Sequence, residues 1–245
     1  MAIRGGERSA RAARRSAEPK HAVRASRVAG RRMRSQLLDA ASRLFKEQGL
    51  GGVSIADIAA AADAFPSKIT YYFRTKEALF VEAACRDVLY AARGAEEAAR
   101  GARDPQDYTR ALVMAVTGTD SVAFFVEAMT LTRRRQDLAP LVERTIERLH
   151  GEGERAYEAE MRIHGWRSRR GADLTARRFW TIAIGVTLEG YATGGASEEL
   201  GAEMLRLLEP QADPAVGDAR QLKLVADEDD QKIPSLAASI GNRKP

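Results

Sequence analysis

Residues 62–80 read "ADAFPSKITYYFRTKEALF". Pro66 suits the first position of a helix, because the N–H it lacks would have no partner there. Ile69 and Phe73, four apart, fall on one side of that helix, and Arg74 ends it. Asp63 and Ala64 form the turn before it, since Asp tolerates the left-handed conformation better than most residues that carry a side chain. Thr75 caps a new, longer helix. The short helix from Pro66 to Phe73 thus has two apolar residues to bury, while Ser67, Lys68, Thr70, Tyr71 and Tyr72 occupy the rest of its surface. Packing alone gives so short a helix little reason to exist. Its other side needs a purpose.

Upstream, a helix from Gly30 to Gln48 sets Leu37, Ala41, Leu44, Phe45 and Gln48 on one stripe at helical spacing. Gly49 stands where a helix end calls for positive φ. Ser54 is the expected N-cap of a second helix, through Ala62, with Ile55, Ile58 and Ala59 on its buried side. Three helices in a row, the last two joined by a turn of about three residues, make a helix-turn-helix. In that motif the second member of the pair lies in the DNA major groove. The polar types on the short helix can reach phosphates or base edges, and Lys76 opens the next helix beside an N-terminus that favours a phosphate.

Charge agrees with such a partner. The chain carries +5 overall, but residues 1–36 hold eleven Lys and Arg against two Glu, which is +9 and leaves −4 for the rest. A block of like charge with few large apolar residues cannot build a core and is expected to be disordered. It reads either as a solubilising tail or as an arm that touches phosphates, and its place beside the motif favours the second. Arg31 and Arg32, where the arm meets the first helix, are expected among the DNA contacts.

The stretch "LLDAASRLFKEQGLGGVSIADIAAAADAFPSKITYYFRTKEALF", Leu37 to Phe80, resembles the TetR family of one-component bacterial regulators. The apolar first helix, the Gly-containing loop, "SIADIA", the Tyr-Tyr-Phe, the short basic break and "KEALF" stand at the family's spacing without a gap. The resemblance implies an all-helical homodimer with an N-terminal DNA-binding domain and a larger C-terminal domain that binds a small molecule. It also implies that Tyr71 and Tyr72 touch phosphates or bases, that Lys76 binds a phosphate, and that Ser54 lies near the DNA. This chain departs from the pattern at four places. Asp63 replaces a turn glycine, Phe65 a small polar residue, Lys68 a Thr or Ser, and Tyr72 a His.

Downstream the pattern stays helical, with no alternating run that would argue for a sheet. Helices are expected over Thr75 to Ala99, from Asp104-Pro105 toward Val116, from Asp120 or Ser121 to about Arg133, from Pro140 to about His164-Gly165, from Thr175 to Thr193, and from a Ser197 cap to Leu208. Gly118 interrupts the second of these. The fold class is therefore all-α. The expected division is a disordered basic arm (1–29), a helix-turn-helix domain (30–80), a helical ligand-binding and dimerisation domain (81–209) and a disordered tail (210–245).

In the C-terminal half, Met114, Phe124, Phe125, Met129, Phe179, Trp180 and Tyr191 fit a packed core. The alternative is that they line a hollow for an apolar or aromatic effector. Glu127 and Glu189 stand amid apolar neighbours, and a buried carboxylate is costly unless paired. Each is thus expected at a helix surface, at an interface or facing a cavity. The candidate effector residues are Met114, Phe124, Phe125, Glu127, Met129, Trp180, Glu189 and Tyr191. The last two helices are the expected dimer surface, with small Ala183, Gly185 and Gly190 allowing close approach.

Catalysis has no visible carrier. His21, His150 and His164 are scattered, no spacing suggests a metal, and no nucleophile elbow, phosphate loop or dinucleotide fingerprint is present. No cofactor is expected, and Cys85 reads as a small core residue. The longest apolar run falls short of the roughly 20 residues that span a bilayer, no secretory signal is apparent, and the expected compartment is the cytoplasm. The sequence thus points to a repressor that binds a palindromic operator as a homodimer and is released by a small molecule. The competing expectations are a basic, low-specificity nucleoid-type DNA protein and a ligand-binding module that has lost its DNA function.

Overall fold

The structure is a computed structural model that describes residues 20–168 and 170–208. Helices α1 (Lys20–Gly52), α2 (Ile55–Ala61) and α3 (Pro66–Phe73) form a reading head. Helix α4 (Lys76–Ala99) leads from it into a bundle of α5 (Pro105–Thr117), α6 (Ser121–Leu131), α7 (Ala139–His164), α8 (Ala172–Thr193) and α9 (Ser197–Leu208). A 3-10 turn at Gln136–Leu138 precedes α7. No strand occurs among the described residues, so the expected all-α class holds.

Local chemistry sets most helix ends where the sequence puts them. Gly49 takes φ 69° and breaks α1 there, a conformation a Cβ would strain. Ser54 caps α2 in a reciprocal box: its hydroxyl accepts from the Asp57 N–H, while the Asp57 carboxylate accepts from the Ser54 N–H. Asp63 adopts the left-handed φ of 49°. Thr75 caps α4 through the Ala78 N–H, and Asp104 caps α5 through the Gln106 and Asp107 N–H groups. Gly165 and Gly194 end α7 and α8 in the left-handed region.

Some expectations need correction. Helix α1 begins at Lys20, so residues 20–29 of the expected disordered arm are helical. From Lys20 to Ala29 the chain has neither Gly nor Pro and continues the good helix formers of α1. Residues 1–19 and the tail 210–245 lie outside the described residues. Gln48 is exposed, although Leu37, Ala41, Leu44 and Phe45 on the same stripe are buried; the turn before Gly49 has already left the core. Helix α6 stops at Leu131, short of Arg133. Helix α8 starts at Ala172 instead of Thr175, whose hydroxyl donates to the Gly171 carbonyl instead of capping. Ser197 is the first residue of α9 and not its cap.

The core runs unbroken from the head into the bundle. Phe80 of α4 meets Phe45 of α1 edge-on at 5.1 Å between ring centroids, and Phe124 of α6 edge-on at 5.0 Å. Such aromatic pairs add about 0.5–1.5 kcal/mol each beyond their burial. Buried Cys85 lies in the same core, and burial pushes its thiol up to about 11. Helix α4 packs against α1, α3, α5, α6 and α7. It is the element common to head and bundle.

Candidate nucleic-acid interface and effector clefts

Helix α3 is held from beneath. Ile69 and Phe73 are buried, Phe73 almost wholly, and the Arg34 guanidinium of α1 sits 5.1 Å over the Phe73 ring. Arg34 also pairs with Glu82 of α4, so one side chain joins α1, α3 and α4. Ser67, Lys68, Thr70 and Tyr71 are exposed, Tyr71 by 78%. Arg31, Arg32 and Ser54 are also open to solvent.

Two expected contacts have structural duties as well. The Tyr72 ring meets Tyr71 edge-on at 5.0 Å and is half-buried against the core. A Cβ on Gly30 of α1 would lie 3.4 Å from its hydroxyl, so Tyr72 packs against the first helix while Tyr71 stays open. The Lys76 ammonium donates to the Leu50 and Val53 carbonyls at 2.8 and 2.9 Å. It satisfies carbonyls left unpaired where α1 breaks and ties the start of α4 to the loop before α2. Both partners are more than twenty residues away in sequence, so no local pattern announces the role.

The sequence reading missed three features. Arg74 sits at φ 68°, ψ −51°, with the Thr75 N–H donating to the Phe73 carbonyl at 2.8 Å. This is a γ-turn with positive φ, a strained form for any residue with a Cβ, and it sets the corner between α3 and α4. Phe65, at the N-cap position of α3, is 77% exposed. Between α1 and α4 lies a polar cluster. Ser42 donates to Asp87, Lys46 pairs with Asp87 at 2.9 Å, and Arg86 pairs with Asp39 at 2.9 Å. The visible clue to the cluster was polar Ser42 inside the apolar stripe of α1 and Asp87 inside that of α4.

The candidate effector residues do not come together around one hollow. Phe124, Phe125 and Trp180 are buried in the core, and Met129 is half-buried against it. Met114, Glu127, Glu189 and Tyr191 are exposed. Phe124 is buried because its ring packs on Phe45 of α1 and Phe80 of α4. Partial burial raises the Glu127 carboxyl above its usual range. Tyr191 donates to the Ala123 carbonyl at 2.5 Å, and partial burial, then the nearby Glu127 and Asp120, pushes its phenol up to about 12.

Three surface clefts stand out. The largest, of about 640 Å³, lies where the head meets the bundle and is lined by Leu50, Phe80, Glu127, Thr130, Leu131, Arg133 and Arg134. A second, of about 410 Å³, runs between α4 and α7 and is lined mainly by charged groups, including Arg93, Glu96 and Glu152. A third, of about 420 Å³, lies over the Asp39–Asp87 cluster. Among the described residues, no group of three or more His, Cys, Asp or Glu could hold a metal ion. No single helix there is long and apolar enough to cross a membrane.

Two of the small residues on α8, Ala183 and Gly190, serve contacts inside the chain. Ala183 is buried, and a Cβ on Gly190 would fall 2.8 Å from Leu200 of α9. A Cβ on Gly185 would meet nothing within 4 Å. Leu174, Leu188 and Tyr191 of α8 and Leu207 of α9 remain exposed.

Two family models match the chain. One, described as bacterial regulatory proteins of the tetR family, covers residues 37–83; the other, a bacterial transcriptional repressor C-terminal region, covers residues 105–209. Among solved structures, a protein of Rhodococcus sp. RHA1 assigned as a transcriptional regulator is 39% identical, with 72% of this chain and 93% of that chain covered and a TM-score of 0.63. A TetR-family protein of Mesorhizobium loti MAFF303099, 18% identical, shares the fold at a TM-score of 0.58 over 73% of this chain and 94% of that one. The fatty acid degradation regulator FadR of Bacillus halodurans, 16% identical, does so at 0.54 over 72% and 94%. No curated protein matches.

Proposed function

The chain belongs to the TetR family of bacterial DNA-binding transcriptional regulators, and from that premise we propose that it is a homodimeric repressor that leaves a palindromic operator when a small molecule binds. The observation that carries the DNA half is the two-sidedness of α3: Ile69 and Phe73 buried, Ser67, Lys68, Thr70 and Tyr71 open. A helix anchored in this way can lie in a major groove without losing its own packing. Ser54, Tyr72, Lys76, Arg31 and Arg32 border the same duplex and supply phosphate contacts, Lys76 with the proton it does not give to the two carbonyls.

The DNA-binding domain is taken as residues 30–80 and the ligand-binding and dimerisation domain as 81–209, working in the cytoplasm. The exposed Leu174, Leu188, Tyr191 and Leu207 suit burial against a second copy, and two-fold symmetry then gives two half-sites about one DNA turn apart. The effector is apolar or aromatic. Leu50, Phe80 and Leu131 give the largest cleft an apolar lining where head and bundle meet, and Glu127 brings one expected effector residue to it. An effector that binds one setting of the heads better than the other shifts the population toward that setting. Helix α4 is the lever, since Arg34–Glu82, Lys46–Asp87 and Arg86–Asp39 tie it to α1.

A nuclease footprint on duplex DNA selected by the protein tests this. Two protected half-sites related by a dyad support the repressor. Uniform coverage at similar affinity favours the nucleoid-type protein, and no protection favours a ligand-binding module without DNA function.

A further inference from the structure

Six of the seven phenylalanines are buried or half-buried; Phe65 is 77% exposed. Its backbone, at φ −81° and ψ 142°, holds the N-cap position of α3 and offers the helix no side-chain hydrogen bond. Ser, Thr, Asp or Asn at that position would give an oxygen to the first turn. The chain therefore forgoes a cap and leaves an aromatic ring in water at the same residue. Local stability favours neither choice, and a residue that breaks two local rules at once points to a function.

Resting on the assignment of α3 to the major groove, we propose that Phe65 determines operator specificity by packing against the C5-methyl of a thymine. The N-terminal residues of a recognition helix are the ones that meet base edges, and Phe65 precedes them directly. A phenyl ring has no polar atom with which to answer a donor or acceptor. The thymine methyl is the apolar group that a B-form major groove presents. The ring can therefore tell thymine from the other bases and has little to say about the rest of the edge. Ser67 and Lys68, exposed on the following turn, supply the hydrogen-bonding groups for neighbouring positions.

The test uses the full chain and an operator obtained by selection from random duplexes. Each thymine is replaced in turn by deoxyuracil, which removes the methyl and leaves every hydrogen-bonding edge unchanged. Wild-type protein is expected to lose roughly fourfold in Kd at one thymine per half-site, the worth of one buried methyl group. Phe65→Ala and Phe65→Ser bind the two operators alike, whereas Phe65→Leu keeps part of the difference. Phe65→Ser also melts higher, because it restores the cap, which shows that its lost discrimination is not lost folding. A wild type that binds its operator but ignores every methyl overturns the proposal, as does an undiminished methyl effect in Phe65→Ala. Failure to select any operator overturns the DNA-binding premise instead, and this inference with it.

Discussion

The reading head exposes aromatic residues further than the C-terminal bundle does: Phe65 and Tyr71 are more than three-quarters exposed, whereas Tyr191 of α8 is about half exposed. In the head, Phe65 and Tyr71 stand in water, one at the N-cap of a helix of eight residues and the other on it. In the bundle, Phe124, Phe125 and Trp180 are sealed in the core. The cleft between α4 and α7 is lined largely by Arg and Glu, and the one at the head mixes Leu50, Phe80 and Leu131 with Glu127, Arg133 and Arg134. A buried aromatic is explained by the fold it holds together. An exposed one, on an element that buries almost nothing else, is not. The head therefore presents rings that its own packing does not need, while the bundle spends Phe124, Phe125 and Trp180 on packing.

The largest effects test whether the buried rings are core in both regions. Phe73→Ala and Phe124→Ala should each cost about 3–5 kcal/mol of unfolding free energy, measured by denaturant titration. A cost below about 1 kcal/mol for Phe124→Ala would mean that it lines open space, and the contrast between head and bundle would break there. The joint between the two comes next. Asp87→Ala strands Lys46 and Ser42 between α1 and α4, and should cost about 3 kcal/mol by the same titration. An unaltered midpoint would mean that the polar cluster does not tie the two helices together.

Smaller effects separate binding from folding within the head. Tyr71→Ala should weaken operator affinity by roughly tenfold yet leave the melting temperature nearly unchanged, because an exposed side chain contributes little to stability. Fluorescence anisotropy and calorimetry read the two separately. Arg74→Gly should raise stability by about 1 kcal/mol through relief of the positive φ. A loss instead would mean that the Arg74 side chain holds the corner between α3 and α4 more firmly than its backbone strains it.

What the sequence made legible follows the same division. Helix ends at Gly49, Ser54, Asp63, Pro66, Thr75 and Asp104-Pro105 depend on residues within one turn, and a proline or a capping oxygen acts wherever it stands. The two-sidedness of α3 was equally local, because Ile69 and Phe73 share a face by spacing alone. Lys76 was only half legible: its charge was visible, but the two carbonyls that occupy it arrive from the end of α1 and the loop after it. Tyr71 and Tyr72 looked alike as neighbours in sequence. Only the packing of Tyr72 against Gly30 tells them apart. In the bundle, whether Phe124 fills a core or rims a hollow depends on Phe45 and Phe80, supplied by two other helices. No window around Phe124 contains that information. Arg74 gave no warning, since nothing in its residue type favours positive φ.

Oxidative footprinting of the protein, free and with its selected operator duplex, tests the central claim most directly. Phe65 and Tyr71 should lose most of their reactivity when the duplex is added, while Met114, exposed on α5, should react as before. If Phe65 and Tyr71 stay as reactive on DNA as in the free protein, the open side of α3 does not face the groove.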